Sequence, residues 1–97
     1  MRHILEINDL SSSELNRVLD LAATPDPARV LTGQGMALIF EKPSARTRNS
    51  MEMAVVQLGG HPIYIAASEI GLDTRESVED VTNTMAGFHA VIGARVF

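Results

Sequence analysis

Apolar residues recur along this chain with two periods, and the alternation between them predicts its elements. Leu15, Val18, Leu19 and Ala22 fall three and four apart, the stripe of a helix. Just ahead, Ser11-Ser12-Ser13-Glu14 has the spacing of a capping box, with Ser11 as N-cap and Glu14 as N3. Thr24-Pro25-Asp26-Pro27 ends that helix, because proline cannot continue it and restricts the residue before it. Ala28 to Leu31 fits a turn or a short helix equally well. Gly33-Gln34-Gly35 reads as a turn into the unbroken apolar run Met36 to Phe40, a buried strand.

Met51, Ala54, Val55 and Leu58 restore the helical period, giving a second helix from about Arg46 to Leu58 that stops at Gly59-Gly60. His61 to Ile65 reads as a strand with proline near its start, where it is tolerated. Ala66 to Thr74 is polar and reads as a loop. Glu76-Ser77-Val78-Glu79-Asp80-Val81 opens a third helix with acid in its first turn, which suits the dipole. Its stripe is Val78, Val81, Met85 and Phe88, and Ala90 to Phe97 reads as a third strand. The order is a helix followed by β-α-β-α-β. That pattern predicts the α/β class, with a parallel sheet and right-handed crossovers. A parallel strand is normally covered on both faces, and the chain stops on one. The expectation is therefore part of a larger doubly wound sheet, with residues 1–97 forming the N-terminal portion of one domain.

Composition narrows the picture. At 97 residues the chain suits one small domain, which alone buries roughly 60–70 % of its unfolded surface. Hydrophobic residues make up 45 % while aromatics are 4 %, so the core must be aliphatic and methionine-rich, with Met51, Met53 and Met85 in or near it. A formal net charge of -4 argues against a nucleic-acid surface. No apolar run approaches the ~18–20 residues of a membrane span. Cysteine is absent, which excludes disulfides and thiolate metal sites and fits a cytoplasmic home. His3, His61 and His89 are scattered and read as structural, so no metal or cofactor is expected. Glu69, Asp73, Glu76, Glu79 and Asp80 read as a solvated loop and helix face.

One stretch carries candidate chemistry. Ser44-Ala45-Arg46-Thr47-Arg48 lies where a strand turns into a helix. Such a junction collects unpaired backbone N–H groups and the positive end of the helix dipole. Ser44 and Thr47 add hydroxyls, one of them expected to cap the helix, and Arg46 and Arg48 add guanidinium groups. No carboxylate falls among the five. Two cations oppose the dipole there unless an anion offsets them, so a small phosphate-bearing anion fits the pattern. Arg95, in an otherwise apolar strand end, must be exposed or face an anion. In open sheets ligands lie beyond the carboxyl ends of the strands, so Arg95 and the Ser44–Arg48 turn are expected to converge.

The run Phe40-Glu41-Lys42-Pro43-Ser44-Ala45-Arg46-Thr47-Arg48 resembles the aspartate/ornithine carbamoyltransferase family. So do Ser50-Met51-Glu52, Leu58-Gly59-Gly60-His61-Pro62, Glu76-Ser77 with Asp80, and Arg95-Val96-Phe97. Glu41-Lys42 and Arg95-Val96-Phe97 look more ornithine-type than aspartate-type. The resemblance implies transfer of a carbamoyl group from carbamoyl phosphate to an amine, ornithine giving citrulline, without a cofactor. It implies that Ser44, Ala45 (through its backbone), Arg46, Thr47 and Arg95 bind carbamoyl phosphate, with Arg46 and Arg95 also stabilising developing charge. It further implies an acceptor domain beyond Phe97 and a homotrimeric, cytoplasmic parent of arginine metabolism. Two positions depart from the family pattern. Ala45 stands where threonine is usual, and Gly71 stands at a loop position where a glutamine or histidine often serves a neighbouring subunit; Ser68 and Arg75 are the nearby substitutes. The alternatives are a carbamoyltransferase with another acceptor, aspartate or a modified amine, and a non-catalytic anion-binding fragment.

Overall fold

The computed structural model describes residues 2–70 and 77–96. Helix α1 runs Ser12–Ala22, strand β1 Gly35–Phe40, helix α2 Ala45–Gln57, strand β2 His61–Ala66, helix α3 Ala67–Ile70, helix α4 Val78–Phe88 and strand β3 Val91–Arg95. The three strands form one parallel sheet in the order β2-β1-β3. The expected α/β order holds throughout.

The alternation of side chains along β1 decides what covers each face. Ala37 and Ile39 lie with Ile65 of β2 in a core to which Met85 of α4 and Ile92 of β3 are added. The intervening residues, Leu38 and Phe40, are the largest fully buried side chains and point to the opposite face. A side-chain carbon placed on Gly93 would meet Met36, Met51 of α2 and Leu38, so α2 lies on that second face. Helices on both faces explain why β1 is apolar without alternation and buried from Ala37 to Phe40.

Local signals account for the boundaries. Ser11 and Glu14 form the capping box: Glu14 N–H donates to Ser11 Oγ at 3.1 Å and Ser11 N–H to Glu14 Oε1 at 2.9 Å. Ser77 caps α4 by accepting from Asp80 N–H at 3.1 Å. Helix α2 ends in a Schellman motif, with Gly60 N–H donating to Val55 O and Gly59 N–H to Val56 O, both at 2.9 Å. That geometry puts Gly59 at φ 84°, a conformation only glycine adopts cheaply. Ala28 to Leu31 is a turn, and Leu31 N–H donates to Leu58 O at 2.9 Å, fastening the loop to the end of α2.

Several expectations need correction. Part of the expected loop, Ala67–Ile70, is a short helix, with Ala66 N–H donating to Glu69 Oε1 at 3.3 Å. Gly71, Asp73, Arg75 and Glu76 lie outside the described residues. A short 3-10 turn, Ile7–Asp9, precedes α1. The stripe of α1 is half-buried at Leu15, but Leu19 is 59 % exposed, because α1 does not lie against the sheet as α2 and α4 do. Met53 is exposed because it follows Met51 by two residues, which turns it to the far side of α2. Phe88 is 76 % exposed, at the point where the chain leaves α4. His89 packs on the start of β1: its Nδ1 is buried, with no hydrogen-bond partner among the described residues, against Gly35, where a side-chain carbon would approach to 2.6 Å.

The unequal burial of the two leucines gives a test. Leu38→Ala empties a fully buried site and should cost about 2–5 kcal/mol, whereas Leu19→Ala should cost less than about 0.5 kcal/mol. Denaturant unfolding of the two variants measures the difference.

A second test concerns the N-terminus. Arg2 donates to both Glu14 carboxylate oxygens and to Asp9 O. The Arg2 guanidinium, aided by Ser11 N–H, lowers the Glu14 pKa from 4.5 to about 2. A lowered carboxyl pKa means that the clamp contributes fully above pH 4.5 and is lost as pH falls toward 2. A carboxyl-carbon NMR titration should place the Glu14 midpoint well below 4.5, and a midpoint at 4.5 would dismiss the clamp.

Candidate anion site

The chain leaves the sheet at Phe40, passes Glu41-Lys42-Pro43 and enters α2 at Ala45. Ser44 occupies the N-cap in extended conformation, φ -154° and ψ 91°, yet its side chain caps no backbone N–H. Neither does that of Thr47; the expectation that one of them caps the helix fails because both hydroxyls are engaged elsewhere. Ser44 Oγ–H donates to Thr47 Oγ1 at 3.1 Å. Arg95 Nη1 donates to Ser44 Oγ at 2.8 Å and to Thr47 Oγ1 as well. The first helical hydrogen bond runs from Arg48 N–H to Ser44 O at 2.9 Å, so the N–H groups of Ala45, Arg46 and Thr47 lie ahead of the α2 ladder. No acidic residue stands in this first turn.

The sheet brings Arg95 here. Phe40 and Arg95 are partners in the β1–β3 register, and Glu41 N–H extends the pairing by donating to Arg95 O at 3.0 Å. Arg95 and Phe40 therefore share the face covered by α2. The expected convergence of Arg95 with the Ser44–Thr47 turn is present, with Arg95 exposed.

The arrangement concentrates donors. Thr47 Oγ1 accepts from Ser44 and Arg95, which leaves its own O–H free to donate outward. Arg46 is exposed and has no hydrogen-bond or ion-pair partner among the described residues. Ala45 is exposed too and offers only its backbone. The outcome is a helix N-terminus with a hydroxyl and guanidinium groups and no carboxylate in its first turn, chemistry suited to a small anion.

Arg48 departs from the expectation. Its Nε donates to Glu52 Oε2 at 2.9 Å and its guanidinium carbon lies 3.8 Å from the centroid of the Tyr64 ring. The i,i+4 spacing of Arg48 and Glu52 was the one signal in the sequence for that pairing. An open cleft of about 700 Å³ lies at the opposite end of α2, lined by Leu21, Pro27, Ala54 and Leu58 among others. It contains none of Ser44, Arg46, Thr47 and Arg95, so concavity alone does not locate the donors. Among the described residues no group of three or more His, Asp or Glu is placed to hold a metal, and no helix is long and apolar enough to cross a membrane.

Residues 2–97 match the aspartate/ornithine carbamoyltransferase, carbamoyl-P binding domain. The chain belongs to the aspartate/ornithine carbamoyltransferase family. It is 45 % identical to an ornithine carbamoyltransferase of Parafrankia sp. over 99 % of this chain and 33 % of that one. It is 40 % identical to an ornithine carbamoyltransferase of Thermus thermophilus with the same two coverages. The anabolic ornithine carbamoyltransferase of Campylobacter jejuni superposes with a TM-score of 0.91 at 30 % identity, over 99 % of this chain and 33 % of that one. The chain thus spans about a third of the length of these relatives.

Proposed function

We propose that residues 1–97 form the N-terminal portion of the carbamoyl-phosphate domain of an ornithine carbamoyltransferase and hold the phosphate end of carbamoyl phosphate. One observation carries the reading: the Arg95 guanidinium meets the Ser44 and Thr47 hydroxyls at an α2 N-terminus that has no acid in its first turn. In this reading the N–H groups of Ala45, Arg46 and Thr47, the Thr47 hydroxyl and the Arg46 and Arg95 side chains bind the phosphate oxygens.

The chemistry follows from where charge grows. The amine lone pair attacks the carbonyl carbon, the bond from that carbon to the phosphate oxygen breaks, and phosphate leaves as the amine gives up a proton. Negative charge develops on the carbonyl oxygen and then on the departing phosphate. Fixed guanidinium and backbone donors stabilise both, and no metal is required. The acceptor is ornithine and the product citrulline, by analogy with the relatives of 40 and 45 % identity, and the direction is biosynthetic, by analogy with the anabolic enzyme of Campylobacter jejuni. A second domain supplies the amine site, and a cytoplasmic homotrimer is the working assembly.

Two measurements test this. Arg46→Ala should weaken carbamoyl phosphate binding by about ten- to a hundred-and-fifty-fold, the worth of one charge-assisted contact at ~1.5–3 kcal/mol. Arg17→Ala, on the exposed face of α1, should leave it unchanged. Lysine at position 46 should restore only part, since it keeps the charge but loses the planar fork. Equal calorimetric losses at 46 and 17 would move the anion away from α2. Separately, these 97 residues alone should form no citrulline from ornithine and carbamoyl phosphate; turnover above background would show that no second domain is needed.

A further inference from the structure

Arg48 follows Thr47 directly, yet its guanidinium is turned from the anion-facing end toward β2. There it lies over Tyr64, 3.8 Å from the ring centroid, with Glu52 accepting from its Nε at 2.9 Å. Tyr64 pairs with Leu38 in the β1–β2 register, and its ring centroid is 5.4 Å from that of Phe40, the planes inclined by 57°. Phe40 is 1 % exposed and is the last residue of β1 before the chain turns to Ser44. Its partner on the other side is Arg95. An unbroken stack, Arg48 on Tyr64 on Phe40, therefore joins the first turn of α2 to the strand ends from which the donors project.

The charge arrangement points the same way. A cation in the first turn of a helix opposes the dipole. For Arg48 that cost is offset by the ring face and by Glu52, one turn deeper. Among the described residues Arg46 and Arg95 have no such carboxylate, and both are exposed. We propose that Arg48 is a positioning residue: by stacking on Tyr64 it fixes the first turn of α2 against β2, and so places the Thr47 hydroxyl and Arg46, without touching the anion. The proposal deepens the carbamoyl-phosphate reading and rests on it for the identity of the ligand.

Two readouts on the full chain separate the possibilities. One is hydrogen exchange of the Arg48 amide, which donates to Ser44 O at 2.9 Å. The other is calorimetric titration with inorganic phosphate. Arg48→Ala and Tyr64→Leu should each speed that exchange and weaken phosphate by about three- to ten-fold, the worth of one cation–π contact. The double variant should be no weaker than either single one. Tyr64→Phe keeps the ring and should behave as the unsubstituted chain. The Val81 and Met85 amides in α4 should keep their protection, which general unfolding would not allow. If Arg48→Ala weakens phosphate while Tyr64→Leu is silent, Arg48 is a direct ligand and the proposal falls. It falls equally if Arg48 exchange is unchanged in both variants. Arg95→Ala tests the underlying reading on its own: phosphate affinity indifferent to that change removes the anion site, while the exchange data still decide the role of Arg48.

Discussion

The pairing of Phe40 with Arg95 across β1 and β3 is the constraint on which the anion-facing end depends. Contacts from an exposed arginine to two hydroxyls are individually weak in water. They do not hold the strands; the strands hold them. The grip comes from the apolar side chains of β1, buried from Ala37 to Phe40, each large one worth about 1.5–3 kcal/mol when removed from water. The hydrophobic pattern of one strand thus sets the position of polar groups that contribute little to stability themselves.

Sheet order explains why this end, rather than another, gathers donors. From β1 the chain passes through α2 on one face to β2, then through α4 on the other face to β3 on the opposite side of β1. The carboxyl end of β1 thus opens onto the face that α2 covers, and Arg95 stands at the same end of β3, on that face. In open α/β sheets ligands bind beyond the carboxyl ends of the strands, where the strand order reverses. The α2 N-terminus and the Arg95 guanidinium meet at that end.

Much of this was legible in the sequence because it is written in short-range signals. The capping box at Ser11 and Glu14, the glycines after α2 and the apolar run of β1 each determine an element within a few residues. The convergence of Arg95 with Ser44 and Thr47 was legible for a different reason: parallel topology leaves few places for the end of a third strand. What resisted reading depends on orientation around a helix or on what lies beside it. Arg48 and Arg46 are equivalent in composition, yet two residues' rotation sends one to Tyr64 and leaves the other in solvent. Ser44 and Thr47 look like caps until an arginine from across the sheet engages both. The stripe of α1 has the right period, and no periodicity reveals that it does not lie on the sheet.

The central strand is made early and its second neighbour well after the first. Arg95 stands 48 residues after Thr47 and 51 after Ser44. As the chain emerges during synthesis, β1, α2 and β2 can associate first, but the edge of β1 that receives β3 stays unpaired until Val91–Arg95 has emerged. Parallel pairing at such separation carries the loop-closure cost of everything between. The hydroxyls acquire their guanidinium neighbour only in that step, so a nascent chain that has not yet reached β3 holds an α2 junction without Arg95, and its unpaired β1 edge is the surface that a chaperone would meet.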